Sequence, residues 1–507
     1  IIYEGNGGGQ RVGKFVPFTD NGTIANSVIF NSPDDPKLGK TFSGAGTNTT
    51  WTFSCWIKLG IKTSNGRRMI FSAGSAGSNY GGAEIGSTGD DSIEFYNYYG
   101  GSYDWRLVTN RQLEDTSKWY HLLFISDTTN STESDRARIY IDGERVTSFS
   151  TESYPSLNYA NNFWMGTTEH EIGTSIFTTQ NFDGYMAEVN NVDGSVVLPS
   201  TFGVTDTSTG RWIPKTLSGI TYGTNGFRLT FADSSAFGDD TSGNTNDFTA
   251  TNLTASDQTI GSPTSNYSNF TTNGSTGTIS LAEGNLKPTF SSSAGDSSGS
   301  AVPSTFRIPV GKWYFEYYIA GTNSVLINMA VAKTNTNFSG RLFTLSGFKT
   351  YYPYVRSFYE GSSELVTDTD MPIGEDDTTV GVYIERKSDG TVNLWAGDDQ
   401  ASKGTFAFQS SMNPATGANA VGNPFSPDDE LRLYIGNEGN GNYSSGVRGT
   451  FNFGQLKVSP IDSGTNLTDY TSTAGGYFRY EPVTGFKALQ QDNLPTTDKG
   501  MSDFVWV

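Results

Sequence analysis

The sequence predicts an all-β protein built from two jelly-roll β-sandwiches that are joined by an extended bridge. Aromatic residues reach 13% of the 507 residues, although apolar residues make up only 35%. Glycine is abundant, and serine, threonine and asparagine crowd the segments between apolar runs, as expected for short strands joined by tight turns. No sustained apolar repeat with helical spacing and helix caps is present.

A first series of strand-forming segments occupies the N-terminal part of the chain. Its members are NSVIFN (26–31), WTFSCWIKL (51–59), RRMIFSAG (67–74), DSIEFYNYY (91–99), WRLVTN (105–110), KWYHLLFIS (118–126), ARIYIDGERV (137–146) and NFDGYMAEVNNVDG (181–194). The apolar residues alternate in ARIYID, which predicts a half-buried strand. KWYHLLFI is apolar on both faces, which predicts a central strand that is covered on both sides.

A second series follows after the bridge. Its members are GTISLAEGNLKPTF (277–290), STFRIPVGKWYFEYYIAG (304–321), SVLINMAVAKT (324–334), TTVGVYIERKSDGTVNLWAGD (378–398), ELRLYIGNEG (430–439) and GTFNFGQ (449–455). The Lys-Trp-Tyr strand recurs here, but its distance to the next Asp-Gly turn differs from the first series. We therefore expect each Lys-Trp-Tyr strand to be a central strand of its own sandwich.

These series predict the domain organisation. We expect an N-terminal arm at 1–19, a first sandwich at 20–215, a bridge with one strand at 216–276, a second sandwich with a C-terminal strap at 277–495 and the start of a further unit at 496–507. The polar stretch at 234–270 fits an extended linker or an ordered strap equally well. The chain starts at Ile1 and ends within a strand-like segment, so we expect it to be part of a longer polypeptide.

The net charge of −19 argues against two classes of partner. An acidic surface repels nucleic acid and anionic lipid, so we expect neither to be bound. No stretch of eighteen apolar residues is present. The single cysteine, Cys55, excludes an intrachain disulfide and a cysteine-based zinc site, and its alternating strand predicts a buried apolar thiol.

The strand segments resemble two known families. Residues 20–205, with NSVIFN, WTFSCWIKLG, KWYHLLFIS, ARIYIDGERV and NFDGYMAEV in order, resemble the concanavalin A-like, laminin-G-like jelly roll. Residues 300–457, with GKWYFEYYI, TVGVYIERKSDGTVNLWAGD and GTFNFGQ, resemble a SPRY-like sandwich. These resemblances imply a concanavalin A-like sandwich followed by a SPRY-like sandwich.

The order of the whole chain resembles structural proteins of tailed bacteriophages, especially marine ones. Between the two sandwiches stands DFTATNLTASDQ…SPTSNYSNF, and TGFKALQQDNLP follows the second. This resemblance implies a non-enzymatic virion surface protein, such as a tail fibre, head fibre or decoration protein. Its implied partners are other virion subunits and a host-surface glycan or receptor, and a homo-oligomer, for instance a trimer, would suit a fibre. The alternatives are a bacterial surface lectin-like adhesin and a laminarinase-type glycan hydrolase.

The candidates for catalysis are few. Glu169 and Glu171 alternate on one strand face, as the carboxylates of a retaining glycosidase can, but Gly173 stands where a third acidic residue is usual. We therefore interpret the pair as a solvated loop or edge. His121 lies within the covered strand, which favours a packed or hydrogen-bonded histidine, and His170 has no recognisable serine or cysteine motif beside it.

Calcium is the one cofactor that the sequence suggests, because paired aspartates occur in turns. Hard cations require clustered oxygen ligands. The candidate ligands are Asp34, Asp35, Asp90, Asp91, Asp376 and Asp377. The competing interpretation is that these are solvated turn carboxylates.

Two aromatic loops are the best candidates for ligand binding. Turn glycines tend to place nearby aromatic residues on loops, where sugars or protein partners can reach them. In NYYGGSYDW (97–105) the candidates are Tyr98, Tyr99, Tyr103 and Trp105. In GFKTYYPYVRSFYEG (347–361) they are Tyr351, Tyr352, Tyr354, Phe358 and Tyr359. The alternative is that the aromatic rings belong to the core.

Overall fold

The fold is all-β, as predicted. The computed structural model describes residues 22–495, apart from 62–65, 87–88, 162, 178–179, 208, 291–299, 320–326, 335, 337, 339–341, 367–377, 400–403, 438–448 and 460–473. Within these residues the helices are 3₁₀ turns of three residues each: Ser32–Asp34, Glu133–Asp135, Pro199–Thr201, Ala255–Asp257, Leu342–Thr344, Pro353–Val355, Gln409–Ser411 and Gln491–Asn493. No helix in the described part of the chain is long and apolar enough to cross a membrane. The arm at 1–19, the glycine-rich GNGGGQRVG and the segment at 496–507 lie outside the described residues.

The first eighteen strands form the first sandwich and its attached bridge. They are β1 (Ser27–Phe30), β2 (Lys37–Thr41), β3 (Thr50–Leu59), β4 (Arg68–Ala76), β5 (Asn79–Ile85), β6 (Ser92–Tyr99), β7 (Ser102–Gln112), β8 (Tyr120–Asp127), β9 (Ala137–Ile141), β10 (Glu144–Arg145), β11 (Phe149–Ser153), β12 (Glu169–Ile172), β13 (Gly184–Asp193), β14 (Gly203–Thr205), β15 (Trp212–Pro214), β16 (Phe227–Leu229), β17 (Thr249–Thr251) and β18 (Gln258–Thr259).

The remaining strands follow the bridge. They are β19 (Ile279–Ala282), β20 (Lys287–Phe290), β21 (Ala301–Arg307), β22 (Gly311–Ile319), β23 (Ile327–Lys333), β24 (Thr350–Tyr352), β25 (Ser357–Glu360), β26 (Ser363–Val366), β27 (Thr378–Arg386), β28 (Val392–Asp398), β29 (Ala407–Phe408), β30 (Val421–Asn423), β31 (Leu431–Asn437), β32 (Gly449–Asn452) and β33 (Lys487–Ala488). Strands β19 and β20 form a two-stranded sheet of their own, and the others belong to the second sandwich.

Two sheets form the first sandwich. Sheet A has the order β10-β9-β8-β3-β13-β1-β18, with β16 paired to β13, and sheet B has the order β11-β7-β6-β5-β4-β12-β2-β17. The core between them is strongly aromatic and includes Trp51, Phe71, Phe124 and Trp164. Cys55 is buried in this core, and burial raises the pKa of its thiol, so the predicted apolar thiol is confirmed.

Two further sheets form the second sandwich. Sheet C has the order β21-β31-β23-β24-β25-β26, and sheet D has the order β29-β28-β27-β22-β32, with β30 paired to β28. Strand β33 of the C-terminal segment pairs in parallel with β22, so this tail straps the sandwich as the sequence predicts. The two Lys-Trp-Tyr strands, β8 and β22, are both interior strands of their sheets, which confirms their predicted central positions.

The bridge is an ordered strap rather than a free linker. Its strand β16 pairs with β13, β17 pairs with β2 and β18 pairs with β1, so the bridge extends both sheets of the first sandwich. The sequence predicts one strand at 216–276, and the structure has these three. The two additional strands are two or three residues long and polar, so they lack the alternating apolar pattern that marks a strand in a sequence.

The two sandwiches share one continuous apolar cluster. Trp56, Trp119 and Tyr185, on the outer face of sheet A, join the core of the second sandwich through Tyr267 and Phe270 of the bridge. A polar contact fixes the same interface, because the Tyr185 hydroxyl donates to the backbone oxygen of Gly284 at 2.7 Å. The sandwiches are therefore held together by buried apolar surface as well as by the chain.

Candidate functional site

The outer face of sheet B carries polar and aromatic residues in a regular order. Successive residues of a strand point to opposite faces, so Ile93 and Phe95 of β6 enter the core while Glu94, Tyr96 and Tyr98 point away from it. The neighbouring strands β5 and β7 extend this arrangement across the sheet, because β5 pairs with residues 93–98 of β6 and β7 pairs from Ser92 to Tyr99.

Four tyrosines meet on this outer face, and we call them the tyrosine face: Tyr80, Tyr96, Tyr98 and Tyr103. The ring centroids of Tyr98 lie 5.2 Å from Tyr80 and 5.0 Å from Tyr103, and both distances lie within the range of favourable aromatic pairs. Tyr103 is 37% exposed and Tyr98 is half-buried, so both rings can be reached from solvent.

The turn between β6 and β7 positions these rings. Gly100 and Gly101 have φ values of 60° and 89°, which L side chains rarely adopt, and the space around both is open. The Tyr98 hydroxyl donates to the backbone oxygen of Gly101 at 2.8 Å, which orients its ring over the turn. The two glycines thus allow the hairpin to return tightly enough to bring Tyr98 and Tyr103 together.

An ion pair between Arg106 and Glu94 contacts the tyrosine face. Arg106 donates from Nε and Nη2 to the two carboxylate oxygens of Glu94, at 2.7 and 2.9 Å. The guanidinium carbon of Arg106 also lies 4.4 Å from the centroid of the Tyr103 ring, which is a cation–π distance. The ion pair therefore fixes the position of the Tyr103 ring and places charged groups next to the tyrosine face.

A second carboxylate, Glu84, lies next to this pair. It stands opposite Glu94 in the β5–β6 register and is fully buried. Arg67 Nη2 lies 3.1 Å from Glu84 Oε1, although the two groups are not aligned as a hydrogen bond. Burial raises the pKa of Glu84 to about 7, with the neighbouring Glu94 charge adding to the rise and Arg67 opposing it.

Glu84→Gln is expected to change the pH dependence of stability. Because the pKa of Glu84 is higher in the folded state, the folded wild type binds the Glu84 proton more tightly than the unfolded chain does. Protonation of Glu84 therefore stabilises the fold at low pH, and this stabilisation is lost as pH rises from 4.5 through about 7. Relative to wild type, the variant should therefore gain roughly 3 kcal/mol of unfolding free energy over that interval. Urea unfolding at several pH values measures this difference.

The control for that experiment is Glu144→Gln, because the Glu144 side chain is 83% exposed. This variant is expected to unfold like the wild type at every pH. If the difference in unfolding free energy between Glu84→Gln and the wild type stays constant between pH 4.5 and 7, the raised pKa of Glu84 is contradicted.

The other two residues of the first predicted loop lie on the opposite face of their strands. Tyr99 is 49% exposed, and its ring lies 6.2 Å from Phe163 at the rim of the core. Trp105 is 1% exposed and packs edge-on against Phe95 at 4.7 Å. Its prediction as a ligand-binding residue is wrong. The β6–β7 register shifts between Asn97 and Tyr98, which interrupts the alternation of β7 between Tyr103 and Trp105, so Trp105 enters the core while Tyr103 stays on the outer face.

The second predicted loop is mostly a core hairpin. Tyr351 and Tyr352 are buried, as is Phe358, which lies 4.9 Å from Tyr351. The prediction that these residues meet a ligand is wrong, because all three are buried. Tyr351 and Phe358 are opposite each other in the β24–β25 register and belong to the core of the second sandwich, whereas Tyr352 is buried on the other face of β24. Tyr359 is half-buried beside Tyr352. The side chain of Tyr354 lies outside what the structure describes.

Glu169 and Glu171 belong to an interior strand rather than to a loop or an edge. Strand β12 lies between β4 and β2, and it is too short and polar for the sequence to reveal that position. Glu171 is buried and forms an ion pair with Lys37, while Glu169 is exposed. A carboxylate that a lysine already holds is a structural group at this position.

Both histidines are packed residues. His121 is buried, and its Nε2 lies 2.9 Å from the hydroxyl of Ser54, which confirms the predicted hydrogen-bonded histidine. Burial lowers the pKa of His121 to about 3 and that of His170 to about 4. His170 is held by the backbone of Thr168 and Met165.

The aspartates of the calcium hypothesis are held by protein groups. Asp34 accepts a hydrogen bond from Asn31, Asp35 accepts one from Asn181, and Asp90 accepts one from the backbone of Ser92. Asp91 forms an ion pair with Arg68. Asp376 and Asp377 lie outside the described residues. Among the residues that the structure describes, no three acidic, histidine or cysteine side chains gather as a metal site would require.

The sequence interpretation finds Tyr98 and Tyr103 and misses the rest of the face. Tyr80, Glu84 and Arg67 lie on β5 and just before β4, outside the aromatic loop. The alternation in SIEFYNYY already places Glu94, Tyr96 and Tyr98 on one face, so these residues could have been found. In contrast, no local sequence pattern predicts that β5 pairs with β6.

Comparison with known proteins agrees with this fold. Residues 37–196, which lie in the first sandwich, match the model of the concanavalin A-like lectin/glucanases superfamily. The first sandwich thus has a concanavalin A-like, laminin-G-type fold within an all-β chain. No curated protein matches the chain.

Several solved structures are similar to parts of the chain or to most of it. Domains LG4-5 of the mouse laminin alpha1 chain are 9% identical, with a TM-score of 0.28, over 86% of this chain and 90% of that one. A heptameric SAP-like pentraxin from Limulus polyphemus is 14% identical, with a TM-score of 0.26, over 34% and 79%. The SPRY domain of human HERC1 is 11% identical, with a TM-score of 0.25, over 36% and 96%.

Proposed function

We propose that this chain is a non-enzymatic binding protein whose tyrosine face holds a glycan on the host surface. The observation that carries the proposal is the pair of solvent-accessible rings, Tyr98 and Tyr103, beside the ion pair between half-buried Arg106 and buried Glu94. Sugars bind to aromatic faces with polar groups nearby, and this part of sheet B supplies both. The lectin-type domain that contains the face agrees with carbohydrate or receptor binding.

The rings are preorganised for such a ligand. Tyr103 packs against Tyr96, Tyr98 and Arg106, so little side-chain freedom remains to be lost on binding. A single shallow face of this kind gives weak binding, which several copies on one particle would strengthen through multivalency.

The double variant Tyr98→Ala/Tyr103→Ala is expected to lose glycan binding. Removing both rings eliminates the stacking surface, and we expect affinity to fall by about tenfold or more, since roughly 1.4 kcal/mol corresponds to tenfold. A glycan array identifies the bound sugar with the wild type, and titration calorimetry then compares the variants.

Tyr477→Ala is the matched control, because Tyr477 is a half-buried tyrosine of the C-terminal strap on the second sandwich and was never a binding candidate. It is expected to bind like the wild type. The glycan proposal fails if no glycan on the array is bound, or if the double variant binds as tightly as the wild type.

We further propose that the chain is a surface component of a phage virion, in a tail fibre, head fibre or decoration protein. The order of the two sandwiches, the bridge sequence and the TGFKALQQDNLP strap support this proposal. Its partners would be other virion subunits, with a homo-oligomer such as a trimer presenting several tyrosine faces. Electron microscopy of intact particles with a gold-labelled antibody tests the location. Label on virions is expected, and label confined to a bacterial cell surface would favour an adhesin instead.

A further inference from the structure

A cavity lies on the other sheet of the first sandwich, away from the tyrosine face. It has a volume of about 200 Å³ and lies between the outer face of sheet A and the segment that leads into the bridge. Its floor is formed by Ser54 and Trp56 of β3 and by Glu188 of β13, and Phe202 and Arg228 complete its walls. None of these residues was a candidate in the sequence.

The polar groups of this cavity are held in place before any ligand arrives. Arg228 donates from Nε and Nη2 to the carboxylate of Glu188, at 2.6 and 3.2 Å. The Ser54 hydroxyl is held by His121 at 2.9 Å, and Tyr222 donates to Asn190 at 2.7 Å. The cavity therefore presents an oriented ion pair, a hydroxyl and an amide beside aromatic rings.

The backbone of β13 is distorted where it meets the cavity. The β3–β13 register shifts between Ala187 and Asn190, and Glu188 has a φ of 48°, which is unusual for a residue other than glycine. Such a bulge in a strand redirects a side chain and recurs beside functional sites. Here the residue in the bulge is the one that pairs with Arg228 in the cavity wall.

We propose that this cavity binds one neutral monosaccharide unit. Its volume is below the roughly 300–1,000 Å³ of sites for drug-sized ligands, so it suits a single sugar ring. The charges of Glu188 and Arg228 cancel. The third charged residue of the lining, Lys215, is exposed and donates to the backbone oxygen of Ser200 at 3.2 Å, so it is directed away from the pair. A polyhydroxylated ring can therefore bond to Glu188 and Arg228 without bringing a charge. The apolar part of the lining consists of half-buried Leu217 and the edges of Trp56 and Phe202, which are each 2% exposed, and the carbon–hydrogen face of such a ring would lie against them. This site is independent of the tyrosine face.

Saturation-transfer NMR with the full chain tests the proposal. The neutral probes are glucose, galactose, mannose and N-acetylglucosamine, and the acidic probes are glucuronic acid and N-acetylneuraminic acid. At least one neutral sugar is expected to bind, and Arg228→Lys, which breaks the two-point pairing with Glu188, is expected to weaken it about tenfold. Arg145→Lys is the control, because Arg145 forms a comparable ion pair with Asp135 away from the cavity.

Three results would overturn the assignment: no neutral sugar binds, only acidic sugars bind, or Arg228→Lys binds the sugar as well as the wild type does. Circular dichroism melting shows whether the variant is folded. If Arg228→Lys does not fold, Thr216→Trp replaces it, because Thr216 is an exposed residue of the cavity wall and an indole there would fill the space. That variant is expected to lose the sugar, and retained binding would equally overturn the proposal.

Discussion

Glu316→Ala is expected to destabilise the second sandwich by about 4 kcal/mol and to release its C-terminal strap. Glu316 is fully buried on β22 and accepts four hydrogen bonds. The hydroxyls of Tyr314 and Tyr318 donate to it at 3.0 and 2.5 Å, and the backbone nitrogens of Arg479 and Tyr480 donate at 2.8 Å each. Alanine would leave these buried donors without an acceptor, at a cost of about 1–3 kcal/mol each where they stay buried.

Two measurements check this prediction. Urea unfolding gives the free energy, and limited proteolysis with mass spectrometry shows whether the strap around 474–495 becomes cleavable. The control is Glu385→Ala on the adjacent strand β27, because the half-buried Glu385 carboxylate pairs with Lys312 at 3.5 Å. This substitution is expected to lower the free energy of unfolding by less than about 1 kcal/mol. If the strap of Glu316→Ala resists the protease as well as the wild type does, Glu316 does not anchor it.

Trp164→Ala is expected to cost about 3–5 kcal/mol of unfolding free energy in the first sandwich. The Trp164 ring lies 4.5 Å from Phe71 and 5.7 Å from Phe53, between the two sheets. Its Nε1 donates to Asn191 Oδ1 at 3.0 Å, so the substitution also leaves a buried acceptor without this donor. The loss combines a large cavity with a broken buried hydrogen bond.

Thermal and urea unfolding of Trp164→Ala measure this effect. Tyr99→Ala provides the comparison, because this exposed ring touches only the rim of the core and should change stability by about 0.5 kcal/mol or less. Equal stability of the two variants would contradict the central position of Trp164 in the core.

Most of the fold could be predicted from the sequence, because long strands with strong patterns dominate it. KWYHLLFIS is apolar on both faces, and β8 is indeed covered on one side by the core and on the other by Tyr140 and Phe202. The bridge could not be resolved in the same way. Strands such as β17 and β18 are held by pairing with distant partners, and pairing over two hundred residues leaves no local pattern.

The site was only partly predictable for the same reason. The Gly-Gly turn correctly indicates that Tyr98 and Tyr103 lie near the surface. Composition alone could not separate them from Tyr351 and Trp105, because burial depends on which strand face meets the other sheet. The charged groups beside the rings arise from the register of three strands, which brings buried Glu84 and Glu94 together with half-buried Arg106.

The position of a bound sugar tests the central claim most directly. A crystal structure of the chain with the oligosaccharide that binds most tightly on the array is expected to show a sugar ring stacked on Tyr98 and Tyr103, within hydrogen-bonding reach of their hydroxyls. An oligosaccharide found elsewhere on the molecule, with the tyrosine face empty, would contradict the claim.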